Sequence, residues 1–138
     1  MTVLVDTNVL LDVMAKRQPF YPASAKIWAL AESGRIAARI SAISFNNTYY
    51  VVERLSDTRK AREAVQLLRD EFETVALTPQ IVNQAIDSEI SDFEDAIQFY
   101  SAIHASASVL ITRNCDDFPK DVLGIQTPDE FLAAFGWA

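Results

Sequence analysis

Two rhythms alternate along this chain. Short apolar runs rich in β-branched residues recur, and between them lie longer stretches with apolar residues three and four positions apart. The first short run, residues 2–5, reads as a strand buried on both faces, the usual state of a parallel-sheet strand. Thr7 or Asn8 then offers a side-chain oxygen as a helix cap, and Val9-Leu10-Leu11 begins a helix. Residues 16–19 form a loop. A second helix runs from about residue 22 to 33, with Ala25, Trp28, Ala29 and Glu32 on one helical spacing, Ile27, Leu30 and Ala31 on another, and Gly34 placed as its C-cap.

Residues 36–40 alternate and read as a second strand. Ser41 or Ser44 caps a third helix to about Arg54, carrying Phe45, Asn46, Asn47, Tyr49, Tyr50 and Val52. Asp57 or Thr58 opens a fourth helix with Ala61, Ala64, Val65, Leu67 and Leu68 on its apolar face. Residues 72–77 are a third strand. Thr78-Pro79 starts a fifth helix, with proline at the first turn, where its missing N–H costs nothing; Ile81, Val82, Ala85 and Ile86 are its buried side. A helix with Ala96, Ile97, Phe99, Tyr100 and Ile103 leads to a fourth buried strand at 109–112. A loop at 114–118 and a short strand at 122–126 follow. Thr127-Pro128-Asp129-Glu130 opens the last helix with an N-cap, a proline at N1 and acids in the first turn.

Strands alternating with helices imply βα units: an α/β fold with a mostly parallel sheet of four or five strands, helices on both faces and right-handed crossovers. The chain has 138 residues, half of them hydrophobic, and is expected to form one domain across 1–138. No apolar run approaches the roughly 20 residues of a membrane span. The N-terminus lacks the basic region and cleavage site of a signal peptide, and the lone Cys115 is compatible with a reducing cytoplasm.

In such a sheet all the strands end on one edge, where open α/β folds bind their ligands. Asp6 ends the first strand, and the 114–117 loop follows the fourth. Residues 87–95 hold five acids in nine positions. Asp92 and Asp95 within them begin the helix that leads into the fourth strand, so they start at the same edge. Three acidic groups far apart in sequence thereby converge on one rim. Such carboxylates repel unless a cation joins them, and hard oxygen ligands suit Mg²⁺ or Mn²⁺. One histidine and one cysteine do not make a zinc site of the usual type.

Each of these residues also has a plainer role. Asp6 can cap the turn, and Asp92 reads as an N-cap with Asp95 favourable near the positive end of the helix. His104 reads as structural or surface. The Tyr49-Tyr50 pair reads as core packing rather than base stacking, and Arg54, Arg59, Lys60 and Arg62 as a solvated helix face. A net charge of −7 argues against holding nucleic acid by bulk electrostatics, although bound divalent ions would reverse the local field.

Val5-Asp-Thr-Asn-Val-Leu-Leu-Asp12 resembles the opening of PIN domains. So do Asp92-Phe-Glu-Asp95-Ala-Ile-Gln with Ser101-Ala102, and Ile111-Thr-Arg-Asn-Cys-Asp-Asp-Phe118 with Thr127-Pro-Asp-Glu-Phe131. The resemblance covers essentially the whole chain and is greatest to small bacterial or archaeal proteins of the VapC toxin type. It implies a ribonuclease that depends on Mg²⁺ or Mn²⁺, usually dimeric, often paired with a small antitoxin protein that blocks its site.

Carried over by residue, Asp6 and Asp95 match invariant acids. Asn114 occupies one common position of the fourth acid, which leaves Asp117, or else Asp116, as that carboxylate. Asn8 matches a polar position near the metal. On this reading Asp6, Asp95 and Asp117 hold the ion while Asn8, Asn47 and Asn114 orient water or phosphate; Arg113 or Lys16 is the candidate contact to the RNA backbone, which the resemblance itself does not supply. The departure is at the second acid: many PIN domains carry a glutamate where Asn47 stands here, and Glu53 lies six residues on and faces elsewhere. A degenerate domain that binds RNA or protein without cutting is the rival reading. A phosphoacceptor aspartate of the receiver or phosphatase type is a third, but it wants an acid at position 8 or an acidic pair before the first acid.

Overall fold

The computed structural model describes residues 1–136. Five parallel strands form one sheet: β1 (Thr2–Val5), β2 (Ala37–Ser41), β3 (Glu73–Val75), β4 (Val109–Ile111) and β5 (Gly124–Gln126), in the order β3-β2-β1-β4-β5. The helices are α1 (Thr7–Met14), α2 (Tyr21–Glu32), α3 (Ala42–Leu55), α4 (Thr58–Glu71), α5 (Pro79–Asp87), α6 (Phe93–His104) and α7 (Pro128–Phe135).

The three central strands carry the run of apolar residues that the sequence pattern requires. Val3, Leu4, Val5, Ile40, Leu110 and Ile111 are all at most 1% exposed, so both faces of the sheet are covered. On one face Val3, Val5, Ala38, Ile40, Val109 and Ile111 pack against α1, α2, α7 and the end of α4, where Trp28 meets Phe72 edge to face at 4.9 Å. On the other, Leu4 and Leu110 meet Phe99 and Ala102 of α6, and α6 in turn holds α5 through Ile81, Ala85, Ala96 and Ile97. Helix α3 stands at the carboxyl edge and reaches both layers, Phe45 packing into the first and Ile43 into the second.

Several boundaries differ from the sequence reading for physical reasons. The third strand is only three residues rather than 72–77, because an edge strand pairs on one side and its polar side chains stay in water. β5 begins at Gly124 rather than at residue 122, and Val122 is exposed. β2 runs one residue later than 36–40, so that Ser41 ends the strand and caps α3 by accepting the Ile43 N–H. Gly34, expected as the C-cap of α2, lies one position beyond the actual C-cap, Ser33, at φ +75°, the left-handed residue that stops the helix. Leu67 and Ile86, expected inside on spacing, are 44% and 61% exposed: their helices pack along narrower stripes than the apolar pattern suggests.

The chain leaves β1 first to one side, through β2 and β3, and then returns to the other side through β4 and β5. The seam between β1 and β4 is therefore the point where the winding reverses. A parallel sheet opens a crevice at the carboxyl ends of such a seam.

Candidate metal-binding active site

Asp6 stands at that crevice. Its backbone N–H continues the ladder by donating to the Ile111 carbonyl at 2.9 Å. It occupies the N-cap position of α1, yet its side chain makes no capping hydrogen bond to the helix. Instead Oδ2 accepts from the Thr112 hydroxyl at 2.8 Å and from the Asn8 amide at 3.4 Å. Thr112 Oγ1 also accepts the Asn114 N–H at 3.1 Å, and Asn8 Oδ1 accepts the Arg113 N–H at 3.4 Å. The end of β1 and the turn after β4 are thus laced together around one carboxylate that is 3% exposed.

Helix α6 starts at the same edge. Asp92 is its N-cap and accepts the Asp95 N–H at 2.9 Å. This leaves the Asp95 side chain half-buried in the cleft. The cleft has a volume of about 760 Å³, and its wall includes Asp6, Asn8, Asn47, Glu94, Asp95, Asn114 and Asp117. Asp117 belongs to a short 3₁₀ turn, Cys115–Asp117, whose Asp116 turns away to pair with Lys120 at 3.3 Å.

The electrostatics show what these groups do to one another. Burial pushes the Asp6 carboxyl up to about 6, the Thr112 hydroxyl opposes that, and the charge of Glu94 adds to it. Burial pushes Asp95 up to about 7, helped by the charges of Asp6, Asp92, Asp117 and Glu94. Carboxylates that repel one another in this way are stabilised when a cation joins them. The donors are carboxylate and amide oxygens, the chemistry of Mg²⁺ or Mn²⁺. Among the described residues no three acidic, histidine or cysteine side chains are gathered closely enough to form a finished metal cage. The fit to such an ion rests on the hard oxygen donors that line one open cleft.

The structure brings together Asp6, Asn8, Asn47, Asp92, Asp95, Asn114 and Asp117. It does not bring in Arg113 or Lys16. The Arg113 guanidinium forms an ion pair at 2.8 Å with Asp12, which is fully buried, and lies 4.2 Å from the centre of the Phe20 ring. Lys16 is exposed at the end of α1, with φ +49°, beside Trp28 and Leu67 rather than the acids. Glu53 accepts from Thr58 at 3.3 Å and stays out of the cleft. Cys115 is raised by burial and then by Glu130, and no histidine adjoins it. His104 is exposed and shares a 2.7 Å hydrogen bond with Gln84.

Three cleft residues were not anticipated. Tyr50 is 52% exposed on the wall rather than packed in the core, although it does meet Tyr49 edge to face at 5.2 Å. Arg54, from the basic cluster, lines the same wall. Glu94, between the two aspartates of α6, turns inward: its Oε2 accepts from the Asn47 amide and from the Thr7 hydroxyl. The one sequence signal for Glu94 was an acid inside a motif where another expected acid had become an amide.

A doubly covered parallel sheet with an acidic cleft at its switch point defines an open α/β protein whose candidate site lies at the carboxyl edge of the sheet. The sequence model of the PIN domain family matches residues 2–116, and this chain belongs to that family. Solved structures agree on the fold. The VapBC2 complex of Rickettsia felis bound to a fragment of promoter DNA contains a chain that is 16% identical, with a TM-score of 0.70 over 92% of this chain and 98% of that one. A toxin–antitoxin complex from Klebsiella pneumoniae is 25% identical, with a TM-score of 0.67 over 91% and 97%. VapC20 of Mycobacterium tuberculosis, a toxin that cleaves the sarcin-ricin loop, is 16% identical with a TM-score of 0.65 over 78% and 86%. No curated protein matches the sequence.

Proposed function

We propose that this PIN domain is a cytoplasmic endoribonuclease dependent on Mg²⁺ or Mn²⁺, the toxin half of a toxin–antitoxin pair. The observation that carries this reading is the convergence of Asp6, Asp95 and Asp117 in one cleft with Asn8, Asn47 and Asn114. Asp6, Asp95 and Asp117 hold the ion. When bound, a divalent ion lowers the pKa of water and neutralises charge on the phosphate being cut.

The chain's own groups supply the rest. Thr112 and Asn8 fix the Asp6 carboxylate in one orientation. Asn114, at the exposed lip, orients a phosphate oxygen or the attacking water. Tyr50 offers an aromatic face to an unpaired base, and Arg54 offers a positive charge to the backbone, the two contacts that single-stranded nucleic acid uses most. Hydrolysis by attack of water leaves a 5′-phosphate and a 3′-hydroxyl. The partners that go with this reading are an RNA substrate, a small antitoxin protein and a second copy of the chain. The likeness to VapBC and other toxin–antitoxin complexes supports the antitoxin.

The test is cleavage of mixed structured RNA with Mn²⁺, Mg²⁺ or EDTA, with Asp6→Asn and Asp95→Asn alongside. Cutting needs the metal and vanishes in both variants while their circular dichroism is kept. A variant that cuts at the wild-type rate refutes the assignment of that residue.

A further inference from the structure

We propose that Glu94 is a further carboxylate ligand of the cleft and that Asn47 and Thr7 are the residues that position it. This rests on the metal-dependent reading of the site and names a ligand beyond the three aspartates. The amide at position 47 then orients the site's own acid from across the cleft instead of contacting substrate or water.

The argument starts with where a glutamate in this position could go. Glu94 lies in the first turn of α6. An acid there is favoured by the helix dipole while fully in water, so the helix alone gives no reason to bury it. In this structure the neighbours are inverted: Phe93 is 50% exposed, and Glu94 is half-buried in the cleft. The inward position also places its carboxylate on the same cleft wall as those of Asp6 and Asp95. Burying a charge beside two like charges is unfavourable unless a cation is part of the arrangement.

The contacts show that the carboxylate is aimed. Two donors converge on Oε2, the Asn47 amide from α3 and the Thr7 hydroxyl from α1. No hydrogen bond engages Oε1 among the described residues. Thr7 is itself fixed from below. Gln98, fully buried, donates through Nε2 to Thr7 Oγ1 and to Ser44 Oγ, both at 3.1 Å, and the two hydroxyls are 2.8 Å apart. Thr7 Oγ1 already accepts from Gln98. Its one proton can go to Glu94 provided Ser44 donates to Thr7, so the network has a consistent direction that ends on the carboxylate. Four buried or half-buried polar side chains from three helices thus hold one oxygen of Glu94 and leave the other unengaged, which is how outer residues orient a metal ligand.

The experiment measures Mn²⁺ binding by calorimetry on the full chain, with circular dichroism as the check on folding and RNA cleavage as a second readout. Glu94→Gln keeps size and hydrogen-bonding capacity but removes the charge; it weakens Mn²⁺ by at least about tenfold, since affinity follows the charge count of the ligands. Asn47→Ala weakens it by roughly tenfold through loss of orientation. The double exchange Asn47→Glu with Glu94→Gln supplies the carboxylate from α3 instead and recovers most of the affinity, an outcome that a purely structural role would not produce. Glu32→Gln, on α2 outside the cleft, is the charge control and binds as wild type does.

If Glu94→Gln binds Mn²⁺ as tightly as wild type, or more tightly because a repelling charge has gone, the inference is overturned while the aspartate site stands. A wild type that takes up no Mn²⁺ overturns both. Mn²⁺ binding that follows this order without any RNA cleavage supports Glu94 as a ligand and removes the nuclease reading alone.

Discussion

The Thr112 hydroxyl donates to Asp6 Oδ2 at 2.8 Å across the seam between β1 and β4, and Thr112 Oγ1 in turn accepts the Asn114 N–H at 3.1 Å. One hydroxyl therefore holds both the deepest carboxylate of the cleft and the loop that carries Asp117. It is also the main force that keeps Asp6 from rising further. Thr112→Val keeps the shape and removes both bonds. Hydrogen bonds to charged groups contribute about 1.5–3 kcal/mol, so Mn²⁺ affinity at pH 7 should fall about tenfold, with a smaller loss at pH 8.5, where Asp6 is ionised in either protein. An equal Mn²⁺ Kd for variant and wild type at both pH values would sink this role for Thr112.

Arg113 should stabilise the fold rather than contact RNA. Its guanidinium is the nearer partner of a fully buried Asp12, whose carboxyl burial pushes up and Arg113 pulls down; Arg17, at 4.0 Å, is the second. Removing one member of a buried pair strands the other, at a cost of about 3–5 kcal/mol. Arg113→Ala should lower the free energy of unfolding measured by urea titration by an amount in that range, reduced where Arg17 moves in. At a temperature where the variant is folded, the salt dependence of RNA binding should match wild type, and a shallower salt slope would return Arg113 to the substrate.

The acidic cleft makes the metal-free protein sensitive to pH in a definite direction. Asp6 and Asp95 have folded values of about 6 and 7 against an ordinary 3.8. Groups raised on folding contribute stability that is fully present below pH 4 and is lost as the pH rises through 6 and 7. Asp95→Asn removes one of these charges. With EDTA present, its melting temperature should exceed that of wild type at pH 8, and the gap should close as the pH falls to 4. Mn²⁺ should reverse the order at pH 8, because the ion stabilises the protein that binds it. A variant less stable than wild type in EDTA at pH 8 would contradict the repulsion.

Tyr50 exposes half its surface on the cleft wall. Stacking of a base on an aromatic side chain is worth about 1–3 kcal/mol by alanine substitution. Tyr50→Ala should weaken binding of single-stranded RNA by roughly tenfold or more in a gel-shift or anisotropy assay with Ca²⁺ in place of Mn²⁺, and should leave Mn²⁺ affinity unchanged. Unchanged RNA affinity would remove Tyr50 from the RNA-binding surface.

Much of this protein was legible in local chemistry. Residues 2–5 form a buried strand because four apolar or β-branched residues can do little else between polar neighbours. Thr78, Asp92 and Thr127 cap their helices as their residue types require, and Thr127 and Glu130 complete a reciprocal capping box. The βα alternation dictated a parallel sheet, and a parallel sheet has one carboxyl edge. Asp6, the start of α6 at Asp92 and Asp95, and the 114–117 loop were thereby placed on a common rim, whereas the choice of Asp117 over Asp116 came from the resemblance to PIN domains.

Tertiary structure decided how each side chain is used once it reaches that rim. Periodicity shows which face of a helix is apolar but not how wide a stripe its neighbour covers, so Leu67 and Ile86 lie exposed and Tyr50 opens onto the cleft. Arg113 and Glu94 are each one residue from a residue on the cleft wall. One turns back to a buried aspartate from α1, and the other turns in to an amide on α3 and a hydroxyl on α1. Those partners are between 47 and 101 residues away along the chain. A sequence determines which charges a segment carries, but only packing brings up the opposite charge or the donor that makes burial of one of them favourable.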